Sequence, residues 1–300
     1  MSFKSGFISI IGRSNVGKST LLNRIIGEKM VIVSSKPQTT RNVIRCIRTT
    51  NLSQMVFLDT PGIHKPKNKL SKTMMDEAMQ SIKDVDLIAF MMDDAKKPGP
   101  GDQYIIDLLK QTSIPKILII NKIDTMEKGD ILQKIDTMQA YEHFDEIVPI
   151  SATKGDNVER LIEIFEKYLP EGPHYFPEDM VTEQPERQIV AELIREKALE
   201  CLREEIPHGI AVGIDSMKER RNGALMDIEA TIFTEKKSHK GMIIGKQGQM
   251  LKKIGTKARR DIEGLLATQA NLQLWVKVKE DWRDKEFDLR NFGYMENKKR

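Results

Sequence analysis

The chain is predicted to be an α/β protein: a P-loop domain on a doubly wound, mostly parallel sheet, followed by a smaller α+β domain. Three observations carry that prediction. Apolar runs alternate with helical patterns through the first half. Several of those runs end in a short polar loop of distinctive composition. The second half has a different element order and a different charge. Residues 1–186 carry 24 Lys or Arg against 26 Asp or Glu, and residues 187–300 carry 24 against 18. The balance therefore shifts from −2 to +6, which points the second half towards a polyanionic partner such as nucleic acid or a membrane surface.

The first apolar run, Phe7–Ile11, leads into Gly12-Arg13-Ser14-Asn15-Val16-Gly17-Lys18-Ser19 and then a helical pattern from Thr20. Strand, glycine-bounded loop, Lys-Ser and helix together make a P-loop, whose backbone N–H groups wrap phosphates at a helix N-terminus. Lys18 is placed for the β- and γ-phosphates and Ser19 for Mg²⁺. Next, Met55–Leu58 runs into Asp59-Thr60-Pro61-Gly62-Ile63. A carboxylate ending a buried strand supplies the second Mg²⁺ contact, and the Gly62 N–H is placed for the γ-phosphate. Between these segments lies Gln38-Thr39-Thr40-Arg41-Asn42. A threonine here completes the Mg²⁺ shell when the γ-phosphate is present, Thr40 being favoured and Thr39 the substitute.

The run Lys116–Ile120 leads into Asn121-Lys122-Ile123-Asp124. The Asp124 carboxylate accepts two hydrogen bonds and so matches guanine N1–H and N2–H₂. Adenine lacks that donor pair and would leave the charge unpaired. Glu146–Ile150 leads into Ser151-Ala152-Thr153, where the Ala152 N–H is placed for guanine O6. The nucleotide is thus GTP or GDP. Its predicted contacts are Gly12, Arg13, Ser14, Asn15, Val16, Gly17, Lys18, Ser19 and Thr20, then Asp59, Thr60, Pro61, Gly62 and Ile63, and finally Asn121, Lys122, Asp124, Ser151, Ala152 and Thr153. Ser19, Thr40 and Asp59 form the expected Mg²⁺ set. Lys18, Asn15, Thr40 and Gly62 are the residues expected to act on the reaction.

Strands are predicted near 6–11, 44–50, 55–59, 86–92, 116–121 and 146–150, with the second and third antiparallel. Helices are predicted near 18–27, 72–83, 101–112, 128–142 and 157–168. The domains are expected at 1–172 and 187–300, joined by a proline-rich linker at 173–186. In the second domain a helix is read from Gln188 to Glu205, strands at His208–Met217 and Leu225–Thr234, a helix at 249–267 and a strand at Leu272–Lys279. Gly245-Lys246-Gln247-Gly248 lies between two helical patterns. Its glycines let the backbone approach a sugar-phosphate chain. Residues 236–260 hold nine Lys or Arg and no Asp or Glu, which suits salt-sensitive phosphate contacts. Ile243, Ile244, Leu251 and Ile254 are expected to wall an apolar groove for unstacked bases. The predicted nucleic-acid contacts are Lys240, Ile243, Ile244, Gly245, Lys246, Gln247, Gly248, Lys252 and Lys253.

Cys46 and Cys201 stand far apart without metal-ligand spacing, as expected for free thiols in a reducing compartment. No signal-peptide core and no 18-residue apolar run is present, so the protein is expected in the cytoplasm.

Order and composition in the second half resemble a type II KH domain. A G domain followed by such a domain resembles the bacterial Era GTPases along the whole chain. The likeness includes Gln38–Arg41, Asp59–His64 and the tail Val276–Asp284. Ser14 stands where many relatives carry proline. The resemblance implies a GTP-hydrolysing switch that binds 16S ribosomal RNA near its 3′ end and assists assembly of the 30S subunit. It also implies peripheral contact with the inner membrane face, and a monomer is expected. Signalling GTPases orient the attacking water with a glutamine after D-x-x-G. Ile63 occupies that place here, which implies slow hydrolysis, with His64 as a weak candidate for the water. Arg13 and Arg41 are loop candidates for an arginine finger. Related GTPases that lack the glutamine use an asparagine at the Asn15 position to hold K⁺ beside the phosphates. Two other readings stay open: a second domain that docks lipid or protein, which its glycine loop argues against, and a metabolic enzyme that merely consumes GTP, for which no second catalytic cluster is visible.

Overall fold

Buried β-branched runs form the first sheet. The computed structural model describes residues 2–34, 36, 39–63, 66–95, 97–141, 143–202, 209–220 and 223–295. Strands β1 (Lys4–Gly12), β2 (Ile44–Thr49), β3 (Ser53–Asp59), β4 (Leu87–Met92), β5 (Lys116–Ile120) and β6 (Glu146–Pro149) lie in the order β2-β3-β1-β4-β5-β6. Only β2 runs antiparallel to its neighbour. Strands β4 and β5 are apolar and buried throughout, apart from the Lys116 head group, as a sheet covered on both faces requires. The covering helices are α1 (Lys18–Ile26), α2 (Lys69–Gln80), α3 (Pro100–Leu109), α4 (Lys128–Gln139) and α5 (Val158–Tyr168). Helix α5 shows the packing rule: Leu161, Ile162 and Phe165 share its buried face, and Phe165 meets Phe57 with ring centroids 5.9 Å apart. Each such side chain contributes about 1.5–3 kcal/mol of burial.

Register decides where the loops emerge. Ile10 pairs with Asp59, Gly12 with Met91, and Met92 with Ile120. The loops after β1, β3, β5 and β6 therefore leave the sheet at one edge, the carboxyl ends, where ligands of doubly wound sheets bind.

Edge strand β2 is covered from within the unit. Ile47 N donates to Val181 O at 2.8 Å, and Cys46 bridges Thr182. Buried Gln54 accepts from the N–H of Tyr175 and Phe176 and donates to Phe176 O. The proline-rich segment is thus tied down as far as Glu183, which pairs with Arg45.

By contacts the chain divides into two compact units. The second holds Gln184–Arg300 together with Ile32–Thr39 and Lys67–Thr73. Its elements are α6 (Glu186–Cys201), β7 (Ile210–Arg220), β8 (Leu225–Thr234), α7 (Lys237–Ile244), α8 (Gln249–Leu266), β9 (Gln269–Val278) and α9 (Glu286–Asn291). The sheet order is β7-β8-β9, with β8 antiparallel to β7 and parallel to β9. Ile254, Ala258 and Ile262 of α8 recur every four residues, and Ile228, Ala230 and Ile232 of β8 every two. Those two periods bring helix and strand into one core. Ile32 joins this core, Val33 N donates to Glu196 Oε1 at 2.7 Å, and buried Arg195 bonds Thr39 O and Glu192.

Two boundaries differ from expectation. Strand β9 starts at Gln269 rather than Leu272, because pairing with Leu225–Asp227 extends it through polar residues. Helix α6 ends at Cys201, and residues 203–208, where Glu205 and His208 were placed, lie outside the described residues.

Candidate functional site

The loop after β1 is held open by two close approaches. A Cβ on Gly12 would stand 2.4 Å from Met91 O, and one on Gly17 only 2.2 Å from Asn121 Nδ2. Both residues also have φ in the left-handed range, +154° and +107°. Asn15 takes φ 66°, a region asparagine tolerates. Lys18 is buried and donates to Gly12 O at 3.1 Å and Arg13 O at 2.9 Å. Burial lowers its pKa to about 8, and Asp59 offsets part of that fall. An ammonium held inside a loop of backbone dipoles suits a polyphosphate.

The expected Mg²⁺ set comes together. Ser19 Oγ is 3.1 Å from Thr40 Oγ1, Ser19 Oγ donates to Asp59 Oδ2 at 3.0 Å, and Thr40 Oγ1 donates to the same oxygen at 3.1 Å. Octahedral coordination at about 2.1 Å sets neighbouring oxygens about 3 Å apart, so this triangle fits one face of a Mg²⁺ shell. Asp59 Oδ1 is buried with no hydrogen-bond partner, and burial pushes the carboxyl pKa up. A divalent cation would satisfy both. The Thr39 hydroxyl donates to Lys36 O instead, which separates the two candidate threonines.

Gly62 packs on the P-loop: a Cβ there would lie 2.6 Å from Ser14 Oγ and 2.8 Å from Ser14 N. Ile63 N donates to Gly12 O at 3.2 Å, and the Ile63 side chain is buried. Thr60 Oγ1 donates to Ile10 O, which fixes the loop that carries Pro61.

The base-reading loops are locked through Asn121. Its Nδ2 donates to Val16 O at 2.8 Å, and its Oδ1 accepts from Ala152 N at 2.9 Å. Ser151 Oγ donates to Asp124 Oδ1 at 2.6 Å and orients that carboxylate. Lys122 adopts φ 68°, and Arg24 binds the carbonyls of Ala152 and Thr153. The Ala152 N–H, expected for guanine O6, donates here to Asn121 Oδ1. Arg24 was not foreseen, since it sits in the last turn of α1, far from this loop in sequence, and meets it only in the fold.

The expectation for Arg13 is corrected. Its Nε donates to buried Asp102 at 2.7 Å and its Nη2 to Asp93 at 3.0 Å. Burial opposes its charge, yet the pairs with Asp102 and Asp93 raise its pKa. A guanidinium anchored to the start of α3 is no mobile finger. Arg41 is buried too. Gln38 and His64 lie outside the described residues.

The glycine loop of the second unit has two unlike ends. A Cβ on Gly245 would meet Met250 Cβ at 2.6 Å, whereas one on Gly248 would meet nothing within 4 Å. Gly245 is required by packing, and Gly248 leaves backbone open to a ligand. Beside it runs a groove of about 1020 Å³ lined by Gly248 just before α8, by Leu251, Lys252, Gly255, Thr256, Arg259 and Glu263 of α8, by Leu225 of β8, and by Gln269, Ala270, Asn271, Leu272 and Leu274 of β9. Lys240, Lys246, Gln247, Lys252 and Lys253 are exposed. Ile243 and Ile254 are corrected: both are wholly buried in the core. Ile244 is half-buried against that core, so Leu225, Leu251, Leu272 and Leu274 make the apolar wall. Thr256, Arg259 and Asn271 were missed because they are polar residues on a helix and a strand without a motif of their own.

Two family models match: a 50S ribosome-binding GTPase over residues 7–122 and a KH domain over residues 205–283. The chain is 56% identical to a GTPase Era of Clostridioides difficile (strain 630), covering 97% of this chain and 99% of that one. It is equally similar, 56%, to a GTPase Era of Alkaliphilus oremlandii, over 98% and 100%. Among solved structures it resembles Era in complex with MgGDPNP and nucleotides 1506–1542 of 16S ribosomal RNA, with TM-score 0.94 and 42% identity over 97% of this chain and 99% of that one. It is as similar to an Aquifex aeolicus Era variant bound to GDP·AlF4−, with the same score, identity and coverage.

Proposed function

Given that this chain belongs to the Era family of GTPases, we propose that it couples a GTP-hydrolysing switch to recognition of 16S ribosomal RNA near its 3′ end, in assembly and maturation of the 30S subunit. The observation that carries the RNA half is the open backbone at Gly248, which begins a groove flanked by exposed lysines. A solved relative was captured with that RNA segment and a GTP analogue. We place the protein in the cytoplasm as a monomer with peripheral contact to the inner membrane face. No described helix is long and apolar enough to cross a membrane.

In the switch, Lys18 exchanges its P-loop carbonyl partners for phosphate oxygens. The Asp124 carboxylate, oriented by Ser151, accepts from the guanine edge. Ser19, Thr40 and Asp59 would hold Mg²⁺, which neutralises charge on the β- and γ-phosphates when bound. Thr40 and the Gly62 N–H are ordered by the γ-phosphate and released after hydrolysis. Ile63 cannot orient water, so intrinsic hydrolysis is slow. Asn15, exposed on the P-loop, is proposed to hold K⁺ beside the phosphates. Hydrolysis measured in KCl and in NaCl at equal ionic strength tests this last step. Faster turnover in KCl that disappears in Asn15→Ala supports it, and equal rates remove it.

The RNA reading is tested by in-cell crosslinking and sequencing of bound fragments. Reads concentrated at the 3′ end of 16S RNA and absent in Gly248→Asp are expected. Diffuse reads, unchanged by that substitution, would shift the weight to protein or membrane docking.

A further inference from the structure

Resting on the reading that Asp124 recognises the guanine edge, we infer that Arg24 is a positioning residue for that recognition: its guanidinium fork holds the 151–155 loop so that Ser151 aims the Asp124 carboxylate. The chain of contacts is short. Arg24 Nε donates to Ala152 O at 3.2 Å, and Arg24 Nη2 donates to Thr153 O. Asn121 Oδ1 accepts from Ala152 N at 2.9 Å. Ala152 is therefore gripped on its N–H and on its C=O, from two different elements. One residue back, Ser151 Oγ donates to Asp124 Oδ1 at 2.6 Å and accepts from Lys154 N at 3.0 Å. Gly155 N closes the loop by donating to Ser151 O at 2.7 Å. Freeing the Ala152 and Thr153 carbonyls would let this loop move, and Ser151 with it.

The mount is rigid. Arg24 lies in the last turn of α1, the helix that begins at Lys18. At about 1.5 Å per residue it stands about 9 Å along the axis from Lys18. Gly27 N caps that turn on Asn23 O, and Arg48 Nη1 donates to Ile25 O at 2.7 Å. Helix α1 thus acts as a spacer of fixed length between the P-loop and the base-reading loop. Gly155 makes room for the fork: its φ is 96°, and a Cβ there would lie 3.2 Å from Arg24 Nη1. A guanidinium holds its donors in one plane and so reaches two successive carbonyls. An ammonium is a point charge without that geometry.

A positive charge in the last turn also favours the helix dipole. That effect would act on folding alone and would not tell one base from another. Guanine and hypoxanthine share N1–H and O6, and only guanine adds N2–H₂. The N2 contact needs both Asp124 oxygens correctly aimed, so a loosened Ser151 weakens it first. Arg24 is exposed, and water competes for its donors, which keeps the effect moderate.

The test is calorimetric titration of the full chain with GDP and with IDP in the presence of Mg²⁺. The unmodified protein is expected to bind GDP at least about tenfold tighter than IDP. Arg24→Met should weaken GDP about tenfold and IDP about twofold, so that the ratio shrinks about fivefold. Arg24→Lys keeps the charge at the end of α1 and should restore the thermal midpoint, but only part of the ratio. An Arg24→Met ratio equal to that of the unmodified protein, or a ratio fully restored by Arg24→Lys, overturns the inference. Failure of the base-reading assignment is distinct: the unmodified protein would then bind GDP and IDP alike, or Asp124→Asn would leave their ratio intact.

Discussion

The nucleotide site of the first unit and the groove of the second are built on opposite principles. The nucleotide site is dense and buried, and most of its polar atoms already bond one another: Lys18 to the P-loop, Ser19 and Thr40 to Asp59, Asn121 to Val16 and Ala152. The groove is open, with lysines in water and an apolar wall of four leucines. Preorganisation suits a small ligand of fixed shape, because little is left to order on binding. An open cationic groove suits a flexible polymer, because affinity comes from many modest, salt-sensitive contacts. Perturbing one residue should therefore be severe in the first site and mild in the second.

Lys18→Met should have the largest effect. It removes charged hydrogen bonds worth about 1.5–3 kcal/mol each, so GTP affinity measured by calorimetry should fall at least about 100-fold. The same group gives a pH signature. Its folded pKa of about 8 lies below the unfolded value of about 10.4, so the unfolded chain binds the extra proton between them. The contribution of Lys18 to the stability of the nucleotide-free protein must then rise as pH climbs from about 8 towards 10.4, by up to about 3 kcal/mol. Denaturant titrations should favour Lys18→Met over the parent below about pH 8, and the gap should close as pH rises towards 10.4. A parent curve parallel to the variant across that range would refute it.

Gly17→Ala comes next. Its Cβ would fall 2.2 Å from Asn121 Nδ2, breaking the lock between P-loop and base loops. We expect a loss of about 2–3 kcal/mol in unfolding free energy together with weaker GDP binding. Gly248→Asp should do the reverse: a Cβ there meets nothing, so stability changes little beyond the strain of φ 78°, while RNA binding in a filter or anisotropy assay falls at least about tenfold. A large fall in thermal midpoint for that variant would break the contrast. Arg259→Ala should cost RNA affinity only about three- to tenfold and flatten the salt slope by about one.

The smallest effect concerns thiols. Burial pushes the Cys46 thiol far up, whereas Cys201 is half-buried. Timed alkylation of the folded protein near neutral pH should label Cys201 first and leave Cys46 intact until unfolding.

The unequal legibility of the two sites has the same origin as their architectures. Lys18, Ser19, Asp59, Asn121 and Asp124 were readable because each belongs to a short contiguous motif at or just beyond the carboxyl end of a buried strand. Short backbone segments fix those positions whatever the distant chain does. Arg24 and Arg13 were missed or misread because their partners lie 80 residues or more away in sequence. In the groove, Gly245 and Gly248 were readable as a pair, yet only the surroundings distinguish the packed one from the open one. Ile243 and Ile254 looked like groove residues by proximity, and helical phase turned them inward.

By itself, then, the sequence determined a P-loop sheet, the loops that carry its candidate phosphate, Mg²⁺ and base-reading residues, and a cationic glycine loop in a second domain. Local spacing and residue chemistry suffice for these. The tertiary structure alone decided which threonine joins Asp59, which arginine is anchored, and which leucines line the groove. Each of those outcomes depends on strand register and helix phase, through which residues far apart in the chain become neighbours.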